Sequence, residues 1–306
     1  MTPPENEPKA AKAPEYHALL HEMIRSFVTL ARTLNLSHAV KELGNTRQTV
    51  RRHITNLEEA KGVELFNIED RQYQLTEAGR QALPEALDIL ARGNSWLNGQ
   101  VSHVNGLQWF NKQTDDGWSF WQQQRPISEL WASPRPLLRE SLRAWALAGG
   151  AVDSEAMAHV RPYFMVFRDS ASGWVCVELG EESSYVSWFG LANARSSIGR
   201  NVGKMPGGDD FARLLGMPFS EVNTKRHMRL DHIFTQVKRT EDGDPVPISY
   251  QRLLMGGRFP DESFALISVV DRCYDIDIHR LEQEKIRTMP EDLVMESDIA
   301  LLKYEH

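Results

Sequence analysis

Apolar residues at helical spacing near the start of the chain constrain its fold more than any other feature. Residues 16–34 carry apolar side chains at gaps of three and four, which predicts an amphipathic helix. A short second helix is expected over 37–43, with Ser37 as its N-cap. Gly44 then breaks the chain, and a third helix is expected over 46–61 with Thr46 as its cap. Two short helices joined by a tight glycine-containing turn are typical of a helix-turn-helix.

The third helix carries side chains of the kind that a DNA-recognition helix needs. Arg47 can bond guanine through two donors, and Gln48 can bond adenine. Arg51 and Arg52 are better placed to contact phosphates, which fix the register without reading the sequence. Ser37 before this helix and Arg71 after it are also expected to contact DNA. The predicted DNA-contacting residues are therefore Ser37, Thr46, Arg47, Gln48, Thr49, Arg51, Arg52 and Arg71.

The segment after the third helix predicts a two-stranded wing. Strand-like runs at 62–66 and 73–75 flank a polar turn, and Arg71 is expected near its tip. Residues 76–79 then open another helix. The domain therefore spans 16–82 as a winged helix-turn-helix.

The net charge of −7 does not by itself suggest a nucleic-acid partner. Its distribution is more informative, because four basic residues face one glutamate within positions 41–53. An acidic remainder disfavours indiscriminate phosphate binding, which is blind to sequence. A small basic reading surface on an otherwise acidic protein is consistent with selective binding to double-stranded DNA.

This order of helices and wing resembles the DNA-binding domain of LysR-type transcriptional regulators. The most specific segments are LEExxGxxLF at 57–66 and LTEAG at 75–79. The chain departs from the usual family pattern at Ala39-Val40, at 46–48 and at Arg51, which affects the DNA target more than the fold. The winged module is also similar to that of molybdate-responsive regulators. The resemblance implies a regulator that binds DNA as a dimer.

Residues 83–105 predict a linker helix with a dimerisation seam. Apolar residues recur there at alternating gaps of four and three, and Pro84 is expected in the first turn, where proline is tolerated. The alternative is a helix that packs on its own domain. A symmetric homodimer would present two third helices to an inverted-repeat operator. The predicted seam is Leu83, Leu87, Leu90, Asn94, Leu97, Val101 and Val104.

The second half resembles the usual LysR sensor less closely. Residues 106–159 are interpreted as a tryptophan-rich helical connector, and 281–306 as a charged surface helix with a tail. Between them, strands are expected at 163–167, 174–179 and 185–189, helices at 191–198, 209–215 and 230–237, and strands at 246–255 and 264–270 joined by Gly256-Gly257.

Strands, then short helices, then strands make residues 160–280 similar to a PAS-type sensor. The segments 209–216 and 219–222 are similar to a PAS helical region. The predicted fold is thus α+β, with a winged helix-turn-helix, a long linker helix and a PAS-like mixed α/β sensor domain. The alternative is a diverged periplasmic-binding-protein-like LysR effector domain.

Five residues of the sensor region are candidate effector contacts. Aromatic side chains favour a small-molecule pocket, although a plain core is the alternative for them. No cofactor is indicated, because a lone histidine such as His227 or His232 does not make a haem site. The candidates are Trp174, Tyr185, Trp188, Phe189 and Arg195.

The sequence lacks the common motifs of metalloproteases, nucleotide-binding enzymes and metal sites. His17 and His21 lack the glutamate position of HExxH, and no P-loop, dinucleotide fingerprint or metal spacing occurs. Two isolated cysteines indicate a reducing, cytoplasmic setting. No apolar run is long enough for a membrane span, and residues 1–15 are interpreted as a disordered leader without a signal peptide. The alternative function is a protein-interaction module without sequence-specific DNA binding.

Overall fold

A computed structural model gives the structure of most of the chain. It describes residues 18–69, 72–114, 117–170, 173–205, 208–238 and 243–296, with the backbone alone for Asp88 and for 208–216. The predicted leader and Arg71 lie outside the described residues. Contacts divide the chain into two compact units, Met1–Ala91 (unit 1) and Arg92–His306 (unit 2).

Unit 1 is the predicted winged helix-turn-helix. Its elements are α1 (Leu20–Thr33), α2 (Leu36–Leu43), α3 (Arg47–Lys61), β1 (Phe66–Glu69), β2 (Gln72–Leu75) and α4 (Glu77–Leu97), which continues into unit 2. The wing strands pair antiparallel from Phe66↔Leu75 to Glu69↔Gln72. The cap of α2 is Asn35 and not Ser37, because the Asn35 side chain accepts hydrogen bonds from the backbone N–H groups of Ser37 and His38.

The core of unit 1 joins α1, α3 and the wing. Phe27 of α1 meets Phe66 of β1 edge to face, with ring centroids 5.6 Å apart. Ile54 and Leu57 of α3 are buried against them, as their spacing predicts. Burial of this apolar face fixes which side of α3 faces outward.

The predicted linker helix is wrong in its second half. Helix α4 ends at Leu97, and Gly99 turns the chain with a φ of +65°. Val101 and Val104 therefore lie on a strand, where a gap of three carries no helical meaning. Pro84 is in the helix interior and not in its first turn, because α4 begins at Glu77.

Unit 2 is built on one eight-stranded sheet. Its strands are β3 (Val101–Val104), β4 (Leu107–Gln113), β5 (Ser119–Arg125), β6 (Phe164–Ser170), β7 (Gly173–Leu179), β8 (Met228–Lys238), β9 (Pro245–Arg258) and β10 (Phe264–Arg272). The spatial order is β3-β4-β5-β8-β9-β10-β6-β7, and every neighbouring pair is antiparallel.

This topology corrects two expectations. The predicted helical connector contains strands β4 and β5 in its first half. The alternative effector fold requires parallel strands joined by crossover helices, whereas the neighbouring strands described in unit 2 pair antiparallel.

Helices and short 3₁₀ turns connect and cover the sheet. The helices are α5 (Glu129–Ala132), α6 (Leu137–Leu147), α7 (Ser184–Phe189), α8 (Leu191–Ser197), α9 (Gly208–Lys225) and α10 (Gln283–Ile286). The 3₁₀ turns are Glu155–Met157, Arg161–Tyr163, Val202–Lys204 and Glu291–Leu293.

Three local predictions in unit 2 are wrong. Residues 185–189 form helix α7, because the Ser183 hydroxyl caps its first turn through the N–H of Val186. Residues 230–237 lie in β8, which is buried on both faces and so lacks the alternation of a half-exposed strand. Gly256 and Gly257 lie inside β9, and the turn to β10 follows them at 259–263.

The C-terminal segment belongs to the core of unit 2. Ile286, Met289 and Leu293 are buried against residues of the sheet, so the expectation of a surface helix over 281–306 is wrong for its described part. Residues 297–306 lie outside the described residues.

Two glycines mark places where the backbone of another segment leaves no room for a side chain. A Cβ atom on Gly79 would lie 2.1 Å from the carbonyl oxygen of Leu65, and one on Gly180 would lie 2.1 Å from that of Pro162. We expect Gly79→Ala and Gly180→Ala each to lower the free energy of unfolding by about 1–3 kcal/mol, measured by urea unfolding.

The exposed neighbours Gln81→Ala and Glu182→Ala are the matched controls, with changes within about 0.5 kcal/mol. Equal stability of the glycine variants and their controls would contradict these close approaches.

Candidate nucleic-acid interface and cavity

The start of α3 is held in shape by Thr46. Its hydroxyl oxygen accepts from the backbone N–H of Thr49 at 3.1 Å, as a helix N-cap does. It also lies 2.9 Å from the Thr49 hydroxyl. The tight turn before it uses Gly44 at a φ of +64°, a conformation that favours glycine. The cap therefore fixes the first turn of α3.

Basic side chains cover the outward side of α3. Arg47, Arg51 and Arg52 are exposed, while Val50 is fully buried. The Arg47 guanidinium donates to the Ser37 hydroxyl at 2.8 Å and so links α3 to α2. Among the residues that the structure describes, none of these three arginines forms an ion pair with a carboxylate. Their charge is thus available to an anionic partner.

One residue that the sequence analysis missed positions α3. The ring Nδ1 of His53 lies 2.8 Å from the hydroxyl of Ser26, and both side chains are buried. This contact attaches α3 to α1 on the side opposite the arginines. His53 lies one helical turn beyond Val50, at a position of the apolar face of α3. This spacing could have predicted that its side chain is buried.

The predicted seam residues on α4 separate into two groups. Leu83 and Leu90 pack against the core of unit 1. Leu87 and Leu97 are exposed, at 49% and 75% of their surface, and Asn94 is exposed as well. Trp96, at 73%, was not among the predicted residues. The exposed part of the seam is therefore shorter than predicted and includes a tryptophan.

Unit 2 contains a cavity of about 120 Å³ between the sheet and the helices α7 and α9. Three of the five candidate effector contacts line this cavity, namely Tyr185, Trp188 and Phe189. Trp174 lies outside the lining and packs edge to face with Phe219 and Phe264. Arg195 is also outside the lining and pairs with Glu181 at 3.3 Å.

The polar residues of the cavity were missed by the sequence analysis. Tyr250 and Arg252 of β9 and Arg272 of β10 line it. Burial raises the pKa of Tyr250 to about 12, so its phenol stays neutral at physiological pH. Arg272 donates to the carbonyl oxygens of Leu293 and Ser184 at 2.8 Å each. Only the register of β9 and β10 brings these side chains together.

Nucleophilic or metal chemistry has little support in the described residues. Burial raises the pKa of Cys176 and Cys273 to about 12, which keeps both thiols protonated and weakly nucleophilic. Within those residues there is no group of three histidine, cysteine or acidic side chains that could hold a metal ion. Nor is any helix there long and apolar enough to cross a membrane.

Comparison with known proteins identifies the N-terminal segment. Residues 21–80 match the bacterial regulatory helix-turn-helix protein family, lysR family. The uncharacterized HTH-type transcriptional regulator YbhD of Escherichia coli K12 is 35% identical over 79 residues, which are 25% of each chain. The HTH-type transcriptional regulator IlvR of Caulobacter vibrioides is 40% identical over 67 residues, 22% of this chain and 23% of that protein.

The crystal structure of a CbnR_DBD–DNA complex is 26% identical to this chain in a match that covers 26% of this chain and 91% of that one, with a TM-score of 0.25. This chain thus covers about a quarter of the length of YbhD and IlvR. The family match covers the N-terminal part, whose helices, wing and exposed arginines are described above. Residues 21–80 are a helix-turn-helix DNA-binding domain of the LysR type.

Proposed function

We propose that this chain is a sequence-specific transcriptional regulator of LysR type that binds double-stranded DNA as a homodimer in the cytoplasm. The observation that carries the proposal is the exposed, cationic side of α3 within a LysR-type domain. The predicted contacts Thr46, Arg47, Gln48 and Thr49 lie at the N-terminal end of α3, the end that such helices direct at base edges.

The signal that gates the regulator is sensed in unit 2, which we propose to be PAS-like. Strands β6 to β10 lie in the order β7-β6-β10-β9-β8. Numbered along the chain this order is 2-1-5-4-3, which is that of a PAS-type sheet. Helices α7 to α9 come between the second and third of these strands. The cavity under α7 and α9 is the proposed effector site.

Removing Arg47 and removing Arg52 should change DNA binding in different ways. We expect Arg47→Ala to cost about 1–3 kcal/mol on the preferred sequence and to relax specificity at one base position. Arg52→Ala should weaken binding to all sequences alike and lower the salt slope by about one. Both are measured by fluorescence anisotropy at several salt concentrations, on DNA selected by the wild-type protein from a random library.

Arg25→Ala is the matched control, because Arg25 is an exposed arginine of α1 on the same unit. Equal losses in all three variants, or wild-type binding by the Arg47→Ala, Arg52→Ala double variant, would contradict the assignment of α3. Retained binding to a protein partner alone would favour the alternative of an interaction module.

The exposed residues of α4 provide the test of dimerisation. We expect Leu97→Asp and Leu87→Asp to yield monomers in sedimentation velocity, since a carboxylate would be buried in an apolar interface. Leu147→Asp is the control, because Leu147 is an equally exposed leucine of α6, at 73%. A wild-type dimer that persists in both α4 variants would exclude this face.

A further inference from the structure

The cavity of unit 2 has an apolar body with its polar groups on the sheet. Phe167 of β6, Phe219 of α9 and Ile248 of β9 line it together with the aromatic residues of α7. An engineered apolar cavity of about 150 Å³ in another protein binds benzene. The cavity of about 120 Å³ therefore has the scale of a single small ring.

Arg252 is one of the two buried arginines, with Arg272, that line the cavity. It is 2% exposed, and its Nη2 donates to Asp231 at 2.9 Å. Its Nε and Nη1 have no hydrogen-bond partner among the residues that the structure describes. Unsatisfied buried donors are costly, and those of a guanidinium more so. The site therefore calls for an additional acceptor.

The neighbouring carboxylate cannot supply that acceptor. One oxygen of Asp231 accepts from Nε of Arg229 at 2.8 Å and from the Gln122 amide at 3.2 Å, and the other accepts from Arg252. Asp231 is thus shared between two buried arginines. Glu221 is the second carboxylate of the cluster, and it bonds Arg229. Because Arg252 lines the cavity, a ligand bound there can supply an acceptor for its remaining donors.

We propose that the cavity binds a small organic carboxylate with a single-ring or similar apolar body, and that Arg252 holds its carboxylate. The inference rests on the proposed function in one respect, namely that unit 2 senses a small molecule. An anionic acceptor is favoured over a neutral one because charge-assisted hydrogen bonds are roughly twice as strong. The neutral phenol of Tyr250 lines the same cavity and remains a donor below its raised pKa of about 12.

Isothermal titration of the full chain, without DNA, tests the proposal. The probe is phenylacetate, and its neutral isostere phenylacetamide isolates the contribution of charge. We expect phenylacetate to bind at least about tenfold more tightly, which corresponds to one charge-assisted contact. Equal affinities, or no binding of phenylacetate at millimolar concentration, would overturn the proposal.

Two variants locate the site. Arg252→Met should weaken phenylacetate binding at least about tenfold. Val270→Phe should also abolish binding, because Val270 lines the cavity and the larger side chain fills it while Arg252 remains. The second variant keeps the test decisive if Arg252→Met folds poorly. Arg195→Met is the control with wild-type binding, since Arg195 is exposed and outside the lining.

Phenylacetate binding that survives in Val270→Phe would also overturn the assignment. Because the titration needs no DNA, a failure of the ligand proposal can be distinguished from a failure of the proposed DNA binding. Phenylacetate binding by a chain that selects no DNA sequence would contradict only the regulator function.

Discussion

The pairing of β8 with β9 is the interaction on which the architecture of unit 2 depends. The two strands are in register over eleven residue pairs, from Met228↔Met255 to Lys238↔Pro245, and both are buried on their two faces through most of that length. One face of β9 packs Leu253 and Met255 in a cluster that includes residues of α6. The alternate residues Ile248, Tyr250 and Arg252 face the cavity on the other side. Since side chains alternate along a strand, the register that builds the core also fixes the polar groups of the cavity.

A comparable constraint operates in unit 1. Val50, Ile54 and Leu57 must be buried, and the helical period then places Gln48 and Arg52 on the outer side of α3, while Arg47 is exposed at its first turn. The orientation of the cationic surface is therefore a consequence of packing. Sequence specificity would come from residues that contribute little to stability, so the DNA target can change while the fold is retained.

Features that depend on neighbouring residues in the sequence could be predicted, whereas features that depend on residues far apart in the chain could not. Helix α3 was predicted correctly because its cap at Thr46 and its apolar residues are local features. Strand β8 was mistaken for a helix because a strand buried on both faces shows no alternation. The linker seam was extended past Leu97 because two valines of β3 continue the gaps of four and three by coincidence. The partnership of Asp231 with Arg252 depends on pairing between β8 and β9, which no local pattern reveals.

The central claim is that α3 reads a DNA sequence. The most direct measurement is repeated selection of random-sequence DNA by the full chain, followed by sequencing of the retained fragments. A dimeric LysR-type regulator should enrich a defined motif with inverted-repeat symmetry and half-sites about one helical turn, or a multiple of it, apart. Retained fragments with no shared motif would contradict the account, because phosphate contacts alone bind DNA without regard to sequence.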